Sequence, residues 1–93
     1  MPSTDVTIGS AVGLHARPAS LFVQAATATG LPVTIAKEGA APVDARSLLA
    51  VMSLGARHGD TVTLAAEGEG AESAVDELST MLASDLDAEG ASA

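Results

Sequence analysis

Polar and apolar residues alternate with a period of two at four places along the chain. Val6 and Ile8 flank Thr7, Val33 and Ile35 flank Thr34, and Val62 and Leu64 flank Thr63. The fourth place, residues 41–44, alternates less cleanly and contains Pro42. A proline has no N–H to offer a neighbouring strand, so this segment is expected at a sheet edge. Clean alternation implies one buried and one wet face, as in an antiparallel sheet. A hairpin turn is expected near Glu38-Gly39, between the second and third of these segments in chain order.

Three segments follow helical spacing instead. From residue 16 to about 29, Ala19, Phe22, Val23 and Ala26 recur at i, i+3, i+4 and i+7, and Gly30 and Pro32 then stop the pattern. From residue 71 to about 86, Ala71, Val75, Leu78 and Leu82 form a second stripe. A short helix over 47–54 has Ser47 in position to cap its N-terminus and Gly55 just past its end. The order is therefore β-α-β-β-α-β-α. The fold class it predicts is α+β, an open-faced sandwich in which a four-stranded antiparallel sheet carries three helices on one face.

With 93 residues, a 47% apolar share and no internal repeat, the chain is expected to form one domain over 1–88, with a frayed acidic tail at 89–93. No cysteine is present, which removes thiolate chemistry and disulfides and suits a reducing compartment. No signal peptide and no bilayer-length apolar run is visible, so the expectation is a soluble cytoplasmic protein with no membrane insertion. Four Lys or Arg against twelve Asp or Glu give a net charge of −8, and Phe22 is the one aromatic residue. A nucleic-acid partner calls for a basic footprint and stacking platforms, so none is expected. The acidic residues crowd after Asp60, while Arg17, Arg46 and Arg57 precede it. An acidic surface that keeps a few arginines either uses them at a site or simply mixes its solubilising charge.

The densest chemistry lies where the first strand hands over to the first helix, at Gly13-Leu14-His15-Ala16-Arg17-Pro18. Gly13 allows a sharp turn, Leu14 reads as an apolar anchor, and Pro18 falls in the first helical turn, where its missing N–H costs nothing. His15 is expected at or just before the helix start. There the free N–H groups of Ala16 and Arg17 and the helix dipole would favour an anion and keep the imidazole neutral and nucleophilic. The residues alone support an anion or phosphate site; a plain capping or surface histidine is the other reading.

This hexapeptide resembles the active-site signature of the HPr family, the histidine-containing phosphocarriers of the bacterial phosphoenolpyruvate-dependent sugar phosphotransferase system. A second stretch, from Arg46-Ser47-Leu48-Leu49 through Ala50-Val51-Met52-Ser53-Leu54-Gly55, resembles the family's regulatory-serine segment and short helix. The resemblance spans residues 4–86 and matches the element order. It implies phosphorylation of His15 on Nδ1 by phospho-Enzyme I with help from Arg17, and onward transfer to sugar-specific IIA proteins. It implies no metal and no organic cofactor. A monomer is expected, because no second apolar patch is evident in the sequence. Ser47 would correspond to the serine that a kinase modifies in some bacteria, bringing in a transcriptional regulator. Leu48, Leu49 and Met52 would face partners, although all the apolar residues of that helix could instead fill the core.

The chain departs from the family pattern in a few places. Val12 stands where relatives often carry Asn or Ser, Gln24 and Thr27 stand where many have lysines, and Arg46 replaces a common lysine. His58, in Arg57-His58-Gly59-Asp60, reads as a solvated turn residue. Other readings are a regulatory module or corepressor acting through Ser47, a carrier of a nitrogen-related phosphotransfer branch, and a hydrolase using His15 as base. The last lacks any second catalytic group at a suitable spacing.

Overall fold

The computed structural model describes residues 2–9, 13–14 and 16–84. Seven elements follow one another: β1 (Ser3–Thr7), α1 (Ala16–Ala28), β2 (Val33–Lys37), β3 (Val43–Asp44), α2 (Leu48–Ser53), β4 (Thr61–Ala66) and α3 (Ala71–Ala83). The strands form one sheet in the order β1-β4-β2-β3, and every neighbouring pair is antiparallel. The expected edge strand, β3, is an edge, and it is only two residues long.

The period-two pattern decides which face is covered. Val6, Val33, Ile35, Val62, Leu64 and Ala66 are buried beneath the helices. The intervening residues lie on the open face, where Thr63 sits opposite both Asp5 and Ala36 and its hydroxyl donates to Asp5 Oδ1 at 2.7 Å. From above, α1 contributes Ala19, Phe22 and Ala26, and α3 contributes Ala71, Val75, Leu78 and Leu82, all buried in a single apolar core. Each helix thus turns its apolar stripe toward the sheet, and burial of those side chains is the main stabilising term.

Two boundaries differ from the pattern. Ile8 lies beyond the end of β1, yet it is buried, and its backbone remains paired: its N–H donates to Asp60 O and its carbonyl accepts from Gly59 N–H, each at 2.9 Å. The helix expected to run to about residue 86 ends at Ala83, because Ser84 is extended, with φ −84° and ψ 160°. The Ser84 hydroxyl and N–H both donate to Met81 O, and Gly9 N–H donates to Leu82 O, so other groups satisfy the terminal carbonyls of α3. The tail expected at 89–93 lies outside the described residues. Among the described residues, no helix is long and apolar enough to cross a membrane.

The short helix depends on its cap. Ser47 is extended, with φ −105° and ψ 114°, and its hydroxyl accepts from Ala50 N–H at 3.3 Å. A six-residue helix has little cooperative stability of its own, so the cap carries a large share. Ser47→Ala is expected to lower unfolding free energy by about 1 kcal/mol. The expected readout is a lower urea midpoint with an unchanged slope.

Candidate functional site

The strand-to-helix junction is built from both sides. Upstream, Gly13 adopts φ 72° and Leu14 is buried. Downstream, α1 begins at Ala16, Pro18 is fully buried in its first turn and Arg17 is exposed. Leu14 and Pro18 therefore act as two apolar anchors, and the helix they frame presents Arg17 to solvent. In an α-helix starting at Ala16, the first N–H groups have no intrahelical acceptor, and the 13 aligned peptides of α1 add positive potential at that end. His15, the sequence's candidate for the reacting group, and Val12 lie outside the described residues.

A loop that did not stand out in the sequence supports this junction. Leu14 N–H donates to Ala56 O at 2.9 Å. A Cβ built on Gly13 would lie 2.6 Å from Ala56 O and 2.8 Å from Arg57 Cα, so glycine is what allows the two segments to meet. The loop from Gly55 to Asp60 is itself tightly tied. Asp60 Oδ2 accepts Arg57 N–H at 2.9 Å, and Asp60 N–H donates back to Arg57 O at 3.0 Å. Lys37, at the end of β2, reaches Asp60 Oδ2 at 3.5 Å and donates to Gly55 O at 3.4 Å. The bond that ties this loop to Leu14 is backbone to backbone. The one signal in the sequence was the turn-forming pair Gly59-Asp60 shortly after the short helix.

Asp60 is held below the ordinary carboxylate value of 3.8, first by the Arg57 N–H bond and then by the Lys37 charge and hydrogen bond, with a lesser pull from the Arg57 charge. A depressed folded-state pKa contributes stability above the unfolded value, and that stability is lost as pH falls through the folded value. Asp60→Asn should therefore be less stable than the natural chain at neutral pH. The gap should close on acidification below about 3.8, as pH-dependent melting would show. Asp44 is lowered in the same way, by the Arg46 N–H bond first and the Arg46 side chain second.

The other sequence candidates lie on α2, which packs against α1 and β3. Leu48 is 42% exposed and Leu49 is 78% exposed, whereas Met52 and Leu54 are half-buried against the core and Val51 is fully buried. The apolar circumference of this helix is thus divided between core and solvent. Ser47 is half-buried at its N-cap, and His58 is exposed in the loop.

Several known proteins are similar to this chain. The family model described as the PTS HPr component phosphorylation site matches residues 2–84. The phosphocarrier protein HPr of Streptomyces coelicolor is 54% identical over 87 residues, which is 94% of each chain. The HPr-like protein Crh of Bacillus subtilis is 40% identical over 78 residues, covering 84% of this chain and 91% of that one. A crystal structure of a phosphocarrier protein HPr from Bacillus anthracis shares the fold with a TM-score of 0.83 at 34% identity, over 87% of this chain and 95% of that one.

Proposed function

The chain belongs to the HPr family of phosphocarrier proteins of the phosphotransferase system, and from that membership we propose that His15 takes a phosphoryl group from phospho-Enzyme I and gives it to sugar-specific IIA proteins. One observation carries this assignment. In the sequence His15 falls between Leu14 and Pro18, both buried, and directly before α1, whose second residue, Arg17, is exposed.

The chemistry asks little else of the protein. An N–P bond forms at His15 Nδ1 as the donor's bond to phosphorus breaks, and the reverse occurs at the acceptor. Phosphoryl transfer depends on positioning and charge stabilisation rather than on covalent work by many groups. The Ala16 and Arg17 N–H groups and the Arg17 guanidinium supply donors for the phosphoryl oxygens. Positive potential at the helix start also favours neutral imidazole, the form able to attack. The protein acts as a stoichiometric intermediate in the cytoplasm rather than as an enzyme with its own turnover. Leu48 and Leu49, exposed and adjacent, form the docking surface, with half-buried Met52 at its edge.

A secondary reading, regulation through Ser47, draws on the likeness to the HPr-like protein Crh and on the place of Ser47 at the cap of α2. The carrier reading is tested directly. The protein is incubated with Enzyme I and phosphoenolpyruvate, and its intact mass is read before and after mild acid. A single acid-labile phosphoryl gain is expected. No gain with any Enzyme I, of the sugar or the nitrogen branch, would overturn the carrier reading and turn attention to an acid-stable ester at Ser47.

A further inference from the structure

The four positive side chains of this chain are Arg17, Lys37, Arg46 and Arg57, set against twelve acidic ones. With acid in such surplus, every cation could find a partner. Lys37 does, at 3.5 Å from Asp60 Oδ2, and Arg46 does, with Nε 3.2 Å from Asp44 Oδ1. Arg17 and Arg57 do not: among the described residues neither guanidinium enters a salt bridge or a side-chain hydrogen bond, and both residues are exposed. These two arginines flank the same segment. Arg17 is the second residue of α1, and the Arg57 backbone abuts Gly13, where a Cβ would lie 2.8 Å from Arg57 Cα.

The carboxylate closest to Arg57 along the loop is already engaged. Asp60 Oδ2 accepts the backbone N–H of Arg57 at 2.9 Å and also faces the Lys37 ammonium. Its remaining influence on the Arg57 guanidinium is a charge attraction, the last of the effects that lower the Asp60 pKa. The loop thus fixes the Arg57 backbone through Asp60, and among the described residues the guanidinium forms no salt bridge. Val12, just before Gly13, has no side-chain donor to offer an anion. A phosphoryl dianion carried on this segment needs more than the single charge of Arg17 to balance it.

We propose that Arg57 is a second guanidinium for the phosphoryl group, holding its oxygens together with Arg17. The inference rests on the phosphohistidine reading above and deepens it. The Arg57 guanidinium offers planar, paired N–H donors to oxygens whose charge must be balanced during and after transfer. Its place on the Gly55-to-Asp60 loop, rather than on α1, means that the phosphoryl group would bridge two segments already joined by the Leu14–Ala56 bond.

The test compares the natural chain with Arg57→Gln and Arg57→Lys, each first shown to melt like the natural chain. Loading from phospho-Enzyme I is separated into kcat and KM, and the phosphorus resonance of the loaded protein is recorded. The expected result for Arg57→Gln is a kcat lower by about tenfold, the loss of one charge-assisted contact, with KM unchanged and the phosphorus resonance displaced. Arg57→Lys is expected to recover part of the rate. An Arg57→Gln protein with natural kcat and an unmoved resonance overturns the proposal. So does a change confined to KM, which would make Arg57 a charge for partner docking. If the natural chain itself takes no phosphoryl group, the carrier reading has failed and this inference fails with it. Normal loading with Arg57→Gln unaffected overturns this inference alone.

Discussion

Replacing His15 by alanine is expected to abolish the acid-labile phosphoryl gain while leaving the melting temperature close to that of the natural chain. The chain has two histidines and no cysteine, so the nitrogen nucleophiles that could form an acid-labile bond under these conditions are few. His58 is the internal control. It is exposed on the loop that supports Leu14, so proximity alone does not separate the two. Their surroundings do. His15 has the start of a 13-residue helix directly after it, with first-turn amides that lack intrahelical acceptors. His58 sits in a turn that leads into β4, so no helix start with free amides follows it. His58→Ala should accordingly load like the natural chain. Intact mass before and after mild acid reads both variants, and an acid-labile gain that survives in His15→Ala but disappears in His58→Ala would exchange their roles. Melting should change little in His15→Ala, because Leu14 and Pro18, which bury the flanks, are unaltered.

What the sequence revealed, and what it concealed, follows from the kind of interaction involved. The α1 stripe and its stop were legible because one buried face of a helix imposes a spacing that survives in the residue pattern, and Ala19, Phe22 and Ala26 are all buried as that spacing requires. The Ser47 cap was legible because a hydroxyl just before an apolar run has a local partner three residues on. Less of α2 could be read. Its large apolar residues cover most of its circumference, and only the positions of α1 and β3 decide that Val51 is buried while Leu49 is exposed. The loop after α2 was hardest. Its bonds to Leu14 and Ile8 run between backbone groups, which every residue possesses, so no pattern of side chains announces them. The same holds for Arg57. Its sequence neighbours suggest a solvated turn, and its relation to the candidate site arises from the approach of Gly13, distant in the chain.

That approach leads to the second large effect. Gly13→Ala is expected to destabilise the protein by roughly 2–4 kcal/mol, a sizeable part of the ~5–15 kcal/mol that holds a small domain together. Two costs combine. At φ 72° an alanine occupies the left-handed region, which costs on the order of 1–2 kcal/mol. Its Cβ would also lie 2.6 Å from Ala56 O and 2.8 Å from Arg57 Cα. Both are backbone atoms of a loop held by Asp60, Lys37 and Ile8, so neither can swing aside as a side-chain tip could. Relief requires the segments to separate, which stretches the Leu14–Ala56 bond and costs about 1 kcal/mol more. Gly55→Ala isolates the first cost, since Gly55 has φ 66° and its added Cβ would meet nothing within 4 Å. Urea unfolding of both variants should therefore show Gly13→Ala as the more destabilised by a clear margin. Its phosphoryl loading should also fall, because Leu14 would no longer be seated beside α1. Equal losses in the two variants would mean that the Gly55-to-Asp60 loop yields freely, and that contact with it is not what fixes the junction.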